Sequence, residues 1–134
     1  MRVYEFMTTK VQYIGSERSV YEAIERMVDR RIRSLVVQFD EKNFDYGVVT
    51  ARDIVGKVLA QERNPKTVKI GQIASKPLVC IHKDMVLDDA ATLMEKSRVA
   101  RVFVCDDRKI IGVVSMMDIM AAALIMRARG NDVS

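Results

Sequence analysis

A chain of 134 residues with a formal net charge of +4, 49% apolar and 30% charged, suffices for one compact domain, or two very small ones sharing a core, and is too apolar for disorder. No apolar run approaches the roughly 20 residues of a membrane span, and the opening MRVYEF has no signal-peptide pattern, so a cytoplasmic location without membrane attachment is expected. Cys80, Cys105 and the single His82 offer no zinc-binding set, and cations interspersed with acids, apart from Arg30, Arg31 and Arg33, together with the absence of tryptophan, argue against a nucleic-acid surface.

In chain order, a short strand is expected near Val11 to Ile14. Val20, Ala23, Ile24, Met27 and Val28 then recur at helical spacing, with Ser19 and Glu22 placed as a capping box. Leu35 to Phe39 and Gly47 to Thr50 are β-branched runs around a polar turn, which predicts an antiparallel hairpin. A second helix follows from Asp53 to about Gln61, and Asn64-Pro65-Lys66 is the one linker-like stretch. The same order then returns: a strand near Leu78 to Ile81, a helix from Leu87, a hairpin of Val102–Val104 and Ile111–Val114, and a helix from Asp118 to about Arg129. His82 is expected in a turn, and Cys80 and Cys105 as thiols in or near the strand core. The Met- and Ala-rich stretch from Met116 to Met126 is expected to form core or a subunit interface.

The second half repeats the first. Gly47-Val48-Val49-Thr50-Ala51-Arg52-Asp53-Ile54 recurs 65 residues later as Gly112-Val113-Val114-Ser115-Met116-Met117-Asp118-Ile119. Val20 to Ala23, with Met27 and Ile32, matches Leu87 to Ala90, with Met94 and Val99, at an offset of 67. The two-residue difference falls in the hairpin turn, where length changes cost little. The copies are set at 1–63 and 67–134, and neither has the apolar surface to close a core alone.

The β-α-β-β-α order and the doubled Gly-h-h-Thr/Ser-x-x-Asp-h signature (h, apolar) resemble a tandem pair of CBS motifs, a Bateman module, over almost the whole chain. The resemblance implies an α+β fold of two motifs packed about a pseudo-two-fold axis with short three-stranded sheets. It also implies a stand-alone regulatory module that dimerises through its helices, binds an adenine nucleotide in the clefts between the motifs, and acts on a partner protein. AMP is the expected ligand, with ADP or ATP as variants; S-adenosylmethionine and a ligand-free dimerisation module are the alternatives, and no cofactor is required. Carried over by position, one site comprises Val48, Thr50, Arg52 and Asp53 with Val79, Val99 and Ala100. The other comprises Val113, Ser115, Met117 and Asp118 with Gln12, Ile32 and Arg33. Arg101 corresponds to a phosphate-contacting position of adenylate-binding relatives, whereas its counterpart in the first copy is Ser34. Met116 and Met117 depart from the small or polar residues frequent there.

The residues themselves support two uses. A carboxylate at a helix start can accept hydrogen bonds from both ribose hydroxyls while a neighbouring hydroxyl and amides face phosphate. Asp53 and Asp118 can equally serve as helix N-caps, and Thr50 and Ser115 can satisfy strand-end amides. No paired acid and base, activated nucleophile or P-loop can be assembled, so an enzyme is not expected.

Overall fold

A computed structural model describes residues 1–130; the last four residues of the second predicted copy, 131–134, lie outside the described residues. It contains six strands in two three-stranded sheets and four helices, the α+β architecture expected from the sequence. The chain forms two compact units. A continuous one spans Gln12–Leu78; a split one joins Met1–Val11 to the chain from Val79 onward.

In the continuous unit, β1 (Tyr13–Gly15) runs parallel to β2 (Ser34–Asp40), which pairs antiparallel with β3 (Asp45–Thr50). β2 is the central strand, and its Leu35, Val36 and Val37 are all buried, as expected of a strand covered on both faces. α1 (Val20–Arg30) starts where the Ser19 hydroxyl accepts the Glu22 amide and ends at Arg31, which adopts the left-handed conformation. It buries Val20, Ala23 and Met27 against Ile14, Leu35, Val37 and Val49. α2 (Ala51–Ile54) continues as a π-helical turn, Val55–Leu59.

The split unit repeats this plan. β4 (Cys80–Ile81) lies parallel to β5 (Arg101–Asp106), and β5 pairs antiparallel with β6 (Lys109–Ser115). α3 (Leu87–Ser97) buries Leu87, Ala90 and Met94, and α4 (Met116–Ala128) follows the hairpin. The two helices after the hairpins begin at Ala51 and Met116, earlier than the Asp53 and Asp118 expected, because Thr50 and Ser115 are the N-caps and the aspartates occupy the third helical position.

Each unit is completed by a segment that precedes a different copy's strands in sequence. The Leu87 amide donates to the Met1 carbonyl and the Val3 amide to that of Met85; likewise Val20 donates to Val68 and Ile70 to Arg18. Thr8 and Val113 exchange two hydrogen bonds of 2.9 Å, and so do Val48 and Ser75. Segment 1–8 therefore edges the sheet of the second copy, and segment 68–75 that of the first. The copies expected from the sequence, 1–63 and 67–134, and the packed units divide the chain at different places.

These edges explain the signature glycines. A Cβ on Gly47 would lie 2.6 Å from the Ser75 carbonyl oxygen, and one on Gly112 would lie 2.6 Å from the Met7 sulfur and 3.0 Å from the Thr8 oxygen. A methionine sulfur can swing away, whereas a backbone carbonyl in a two-bond bridge cannot. Gly47→Ala should therefore destabilise by about 2–3 kcal/mol and Gly112→Ala by about 1 kcal/mol in urea unfolding, an order that equal losses would contradict.

Candidate functional site

The predicted site residues gather, within each unit, at the end of the sheet where the central strand begins. In the continuous unit the Ser34–Thr50 pair closes the β2–β3 ladder, and the Arg33 carbonyl accepts the Ala51 amide at 2.9 Å. Ile32 precedes it and packs half-buried on the core, and the Gln12 carbonyl accepts the Val36 amide at 2.9 Å at the start of β1. The Gln12 side chain accepts from Arg30. Val48 is half-buried on β3, while Arg33 and Arg52 are exposed.

In the split unit the Arg101–Ser115 pair closes the β5–β6 ladder, and the Ala100 carbonyl accepts the Met116 amide at 3.1 Å. Val99 packs on the core, and the Val79 carbonyl accepts the Phe103 amide at 2.9 Å. Val113 is half-buried on β6, and Arg101 is half-buried opposite Ser115. Met117 is 68% exposed.

A reciprocal hydroxyl–carboxylate cap forms the centre of each group. The Thr50 amide donates to Oδ2 of Asp53 at 2.9 Å, and the Asp53 amide donates to Oγ1 of Thr50 at 3.1 Å. The Ser115 amide and hydroxyl both donate to Oδ2 of Asp118, at 2.8 and 3.0 Å, and the Asp118 amide donates to the Ser115 hydroxyl oxygen at 3.2 Å. The capping alternative left open by the sequence is thus realised, with the roles exchanged: Thr50 and Ser115 cap, and the aspartates reach back. Each cap engages Oδ2 and leaves Oδ1 outside the box.

The two Oδ1 atoms differ in surroundings. Asp53 Oδ1 lies 3.2 Å from Nζ of Lys57, which also donates to the Ile73 carbonyl at 3.0 Å. The residue equivalent to Lys57 in the second copy is Ala122, which is buried. The sequence signal for this ion pair was the Asp-x-x-x-Lys spacing, which puts the two side chains on one helical face.

Cys80 and Cys105 are joined in a disulfide rather than being core thiols, and Cys80 is exposed. β4 and β5 are parallel neighbours, and the register shift at Val104–Cys105 accompanies a Cα–Cα distance of 5.7 Å, within disulfide range. Sequence spacing carries no information about which strands are adjacent.

Known proteins match the sequence repeat rather than the packed units. The family model described as CBS domain matches twice, at residues 3–60 and 70–125. An uncharacterized protein of Methanopyrus kandleri is 36% identical over 96 residues, 71% of this chain and 48% of that protein, so the chain spans about half of its relative's length. The hexameric CBS-CP12 protein from bloom-forming cyanobacteria superposes with a TM-score of 0.87 at 28% identity, over 99% of this chain and 77% of that one. The CBS domain pair of protein MJ0100, in complex with 5-methylthioadenosine and S-adenosyl-L-methionine, gives 0.78 at 26% identity, over 92% and 95%. No helix among the described residues is long and apolar enough to cross a membrane.

Because the hydroxyls hold otherwise unpaired helix-start amides, Thr50→Ala and Ser115→Ala should each lower stability by about 1 kcal/mol, with Thr50→Ser and Ser115→Thr near parental. Chemical denaturation at constant m-value checks this; parental stability of the alanine variants would show that the caps contribute nothing.

Proposed function

The chain belongs to the CBS domain family as a tandem pair of motifs, and from that premise we propose that it is a regulatory module binding an adenine nucleotide, AMP foremost, through Thr50 with Asp53 and Ser115 with Asp118. The observation that carries this reading is the cap of the split unit: the Asp118 carboxylate sits beside a serine hydroxyl at the start of the thirteen-residue α4, with Arg101 directly across the ladder. A carboxylate oxygen outside the cap can accept the ribose hydroxyls, while the guanidinium supplies charge-assisted bonds to phosphate. Val79, Val99, Ala100 and Val113 in the split unit, and Gln12, Ile32 and Val48 in the continuous unit, provide apolar and backbone groups for adenine. Arg33 and Arg52 provide exposed cations near the Thr50–Asp53 pair.

S-adenosylmethionine is the second reading, favoured by the complex of MJ0100, whose CBS pair holds that ligand and 5-methylthioadenosine. Its sulfonium needs no phosphate-binding arginine. The module is a homodimer in this proposal, because α4 exposes Met117, Met120 and Leu124 at 68%, 56% and 71%, an apolar surface that a second copy would cover. It acts by biasing a partner protein, without catalysis, in the cytoplasm.

AMP should raise the melting temperature, and Asp53→Ala with Asp118→Ala should abolish the shift while the protein stays folded. Unchanged AMP binding by the double variant would leave the carboxylates as caps only. With the first site silenced by Asp53→Ala, Arg101→Ala should weaken AMP by about 10- to 150-fold and leave adenosine unchanged in calorimetric titration. Equal losses for both ligands would remove the phosphate role, and binding of S-adenosylmethionine in place of AMP would select the second reading.

A further inference from the structure

We propose that Cys80–Cys105 is a thiol–disulfide exchange site, opened by a dithiol reductant and closed by the reverse exchange with a disulfide oxidant, which leaves as the dithiol, and that its state governs the order of β4. Three observations meet here. β4 has only two residues, Cys80 and Ile81, paired with Phe103 and Val104, so its ladder is minimal. The disulfide joins that strand to the far end of β5, across 25 positions of chain. The two cysteines differ in exposure, Cys80 being exposed and Cys105 half-buried.

This asymmetry sets the direction of attack. A thiolate of the dithiol reaches Sγ of Cys80, forms a mixed disulfide there and expels Cys105 as thiolate. The second thiolate of the dithiol then attacks its own sulfur in the mixed disulfide and releases Cys80. Two electrons pass to the protein, the reductant leaves as a disulfide, and solvent protonates the protein thiolates. Exposure makes such a bond accessible to exchange, whereas a buried staple is shielded.

The bond matters because it adds a covalent tie to a strand whose ladder has only two residue pairs. Val79, immediately before it, is fixed to β5 by the bond from the Phe103 amide to its carbonyl, and Ile81 is anchored in the core. The core of the split unit, built on Val3, Ala90, Met94, Val102, Val104 and Val114, does not include either cysteine. Opening the disulfide therefore releases the outer face of β4 and leaves the unit folded. The exchange stands independently of nucleotide binding.

The test uses the whole folded chain. Dithiothreitol is added without denaturant, thiols are blocked with N-ethylmaleimide, and adducts are located by mass spectrometry. Two adducts, at Cys80 and Cys105, are expected with the far-UV circular dichroism unchanged, and diamide should return the protein to none. Cys80 in Cys105→Ser should label at least ~10-fold faster than Cys105 in Cys80→Ser. Hydrogen exchange over residues 79–81 and at Phe103 should accelerate at least ~10-fold on reduction. Adducts only in denaturant, unfolding on reduction, failure of diamide to restore the bond, equal labelling rates or unchanged exchange would each overturn the proposal.

Discussion

The reciprocal cap at the start of the helix after each hairpin is the interaction on which the rest depends. Four amides at a helix start have no partner within the helix, and here one hydroxyl and one carboxylate, three residues apart, secure two amides at once. The same bonds hold the hydroxyl and the carboxylate at the end of the sheet, where the ladder pairs Ser34 with Thr50 and Arg101 with Ser115. Folding thus positions these polar groups in advance, so the nucleotide proposed for them would meet oxygens whose orientation is already fixed.

Much of this was legible in the sequence because its signals were redundant. The stripe of Val20, Ala23 and Met27 has one period, the apolar run Leu35 to Val37 has flanking turns, and the signature occurs twice. The sequence places the cap one turn too late because aspartate and threonine both suit an N-cap, and only the backbone bonds tell which residue caps. The disulfide was illegible for another reason. Cys80 and Cys105 are far apart in sequence and lie on parallel strands, whose adjacency depends on long-range packing rather than local pattern. The exchanged edge segments were missed likewise, since one-residue bridges such as Thr8–Val113 leave no periodic trace.

The repeat makes the two site groups comparable and shows that they have diverged in charge. The first copy has exposed Arg33 and Arg52, with Lys57 against the carboxylate. The second has Ala100, Met117 and Ala122 at those places and carries its cation at Arg101, where the first has Ser34. An i,i+4 helix pair such as Lys57–Asp53, with its lysine about half exposed, contributes only about 0.3–0.5 kcal/mol, so its weight falls on the local field rather than on stability. One fold therefore presents a carboxylate already met by a lysine and another without that lysine.

The split of one unit into two chain segments orders events during synthesis. The continuous unit, Gln12–Leu78, has all its strands and its core within one stretch and can close as soon as that stretch has emerged. Met1–Val11 emerges earlier still, yet Val3 finds its buried place only among residues beyond Val79, and Thr8 pairs with Val113. Val3 and Thr8 therefore wait for partners far along the sequence, and Val3 stays unsheltered until the strands of the split unit have left the ribosome.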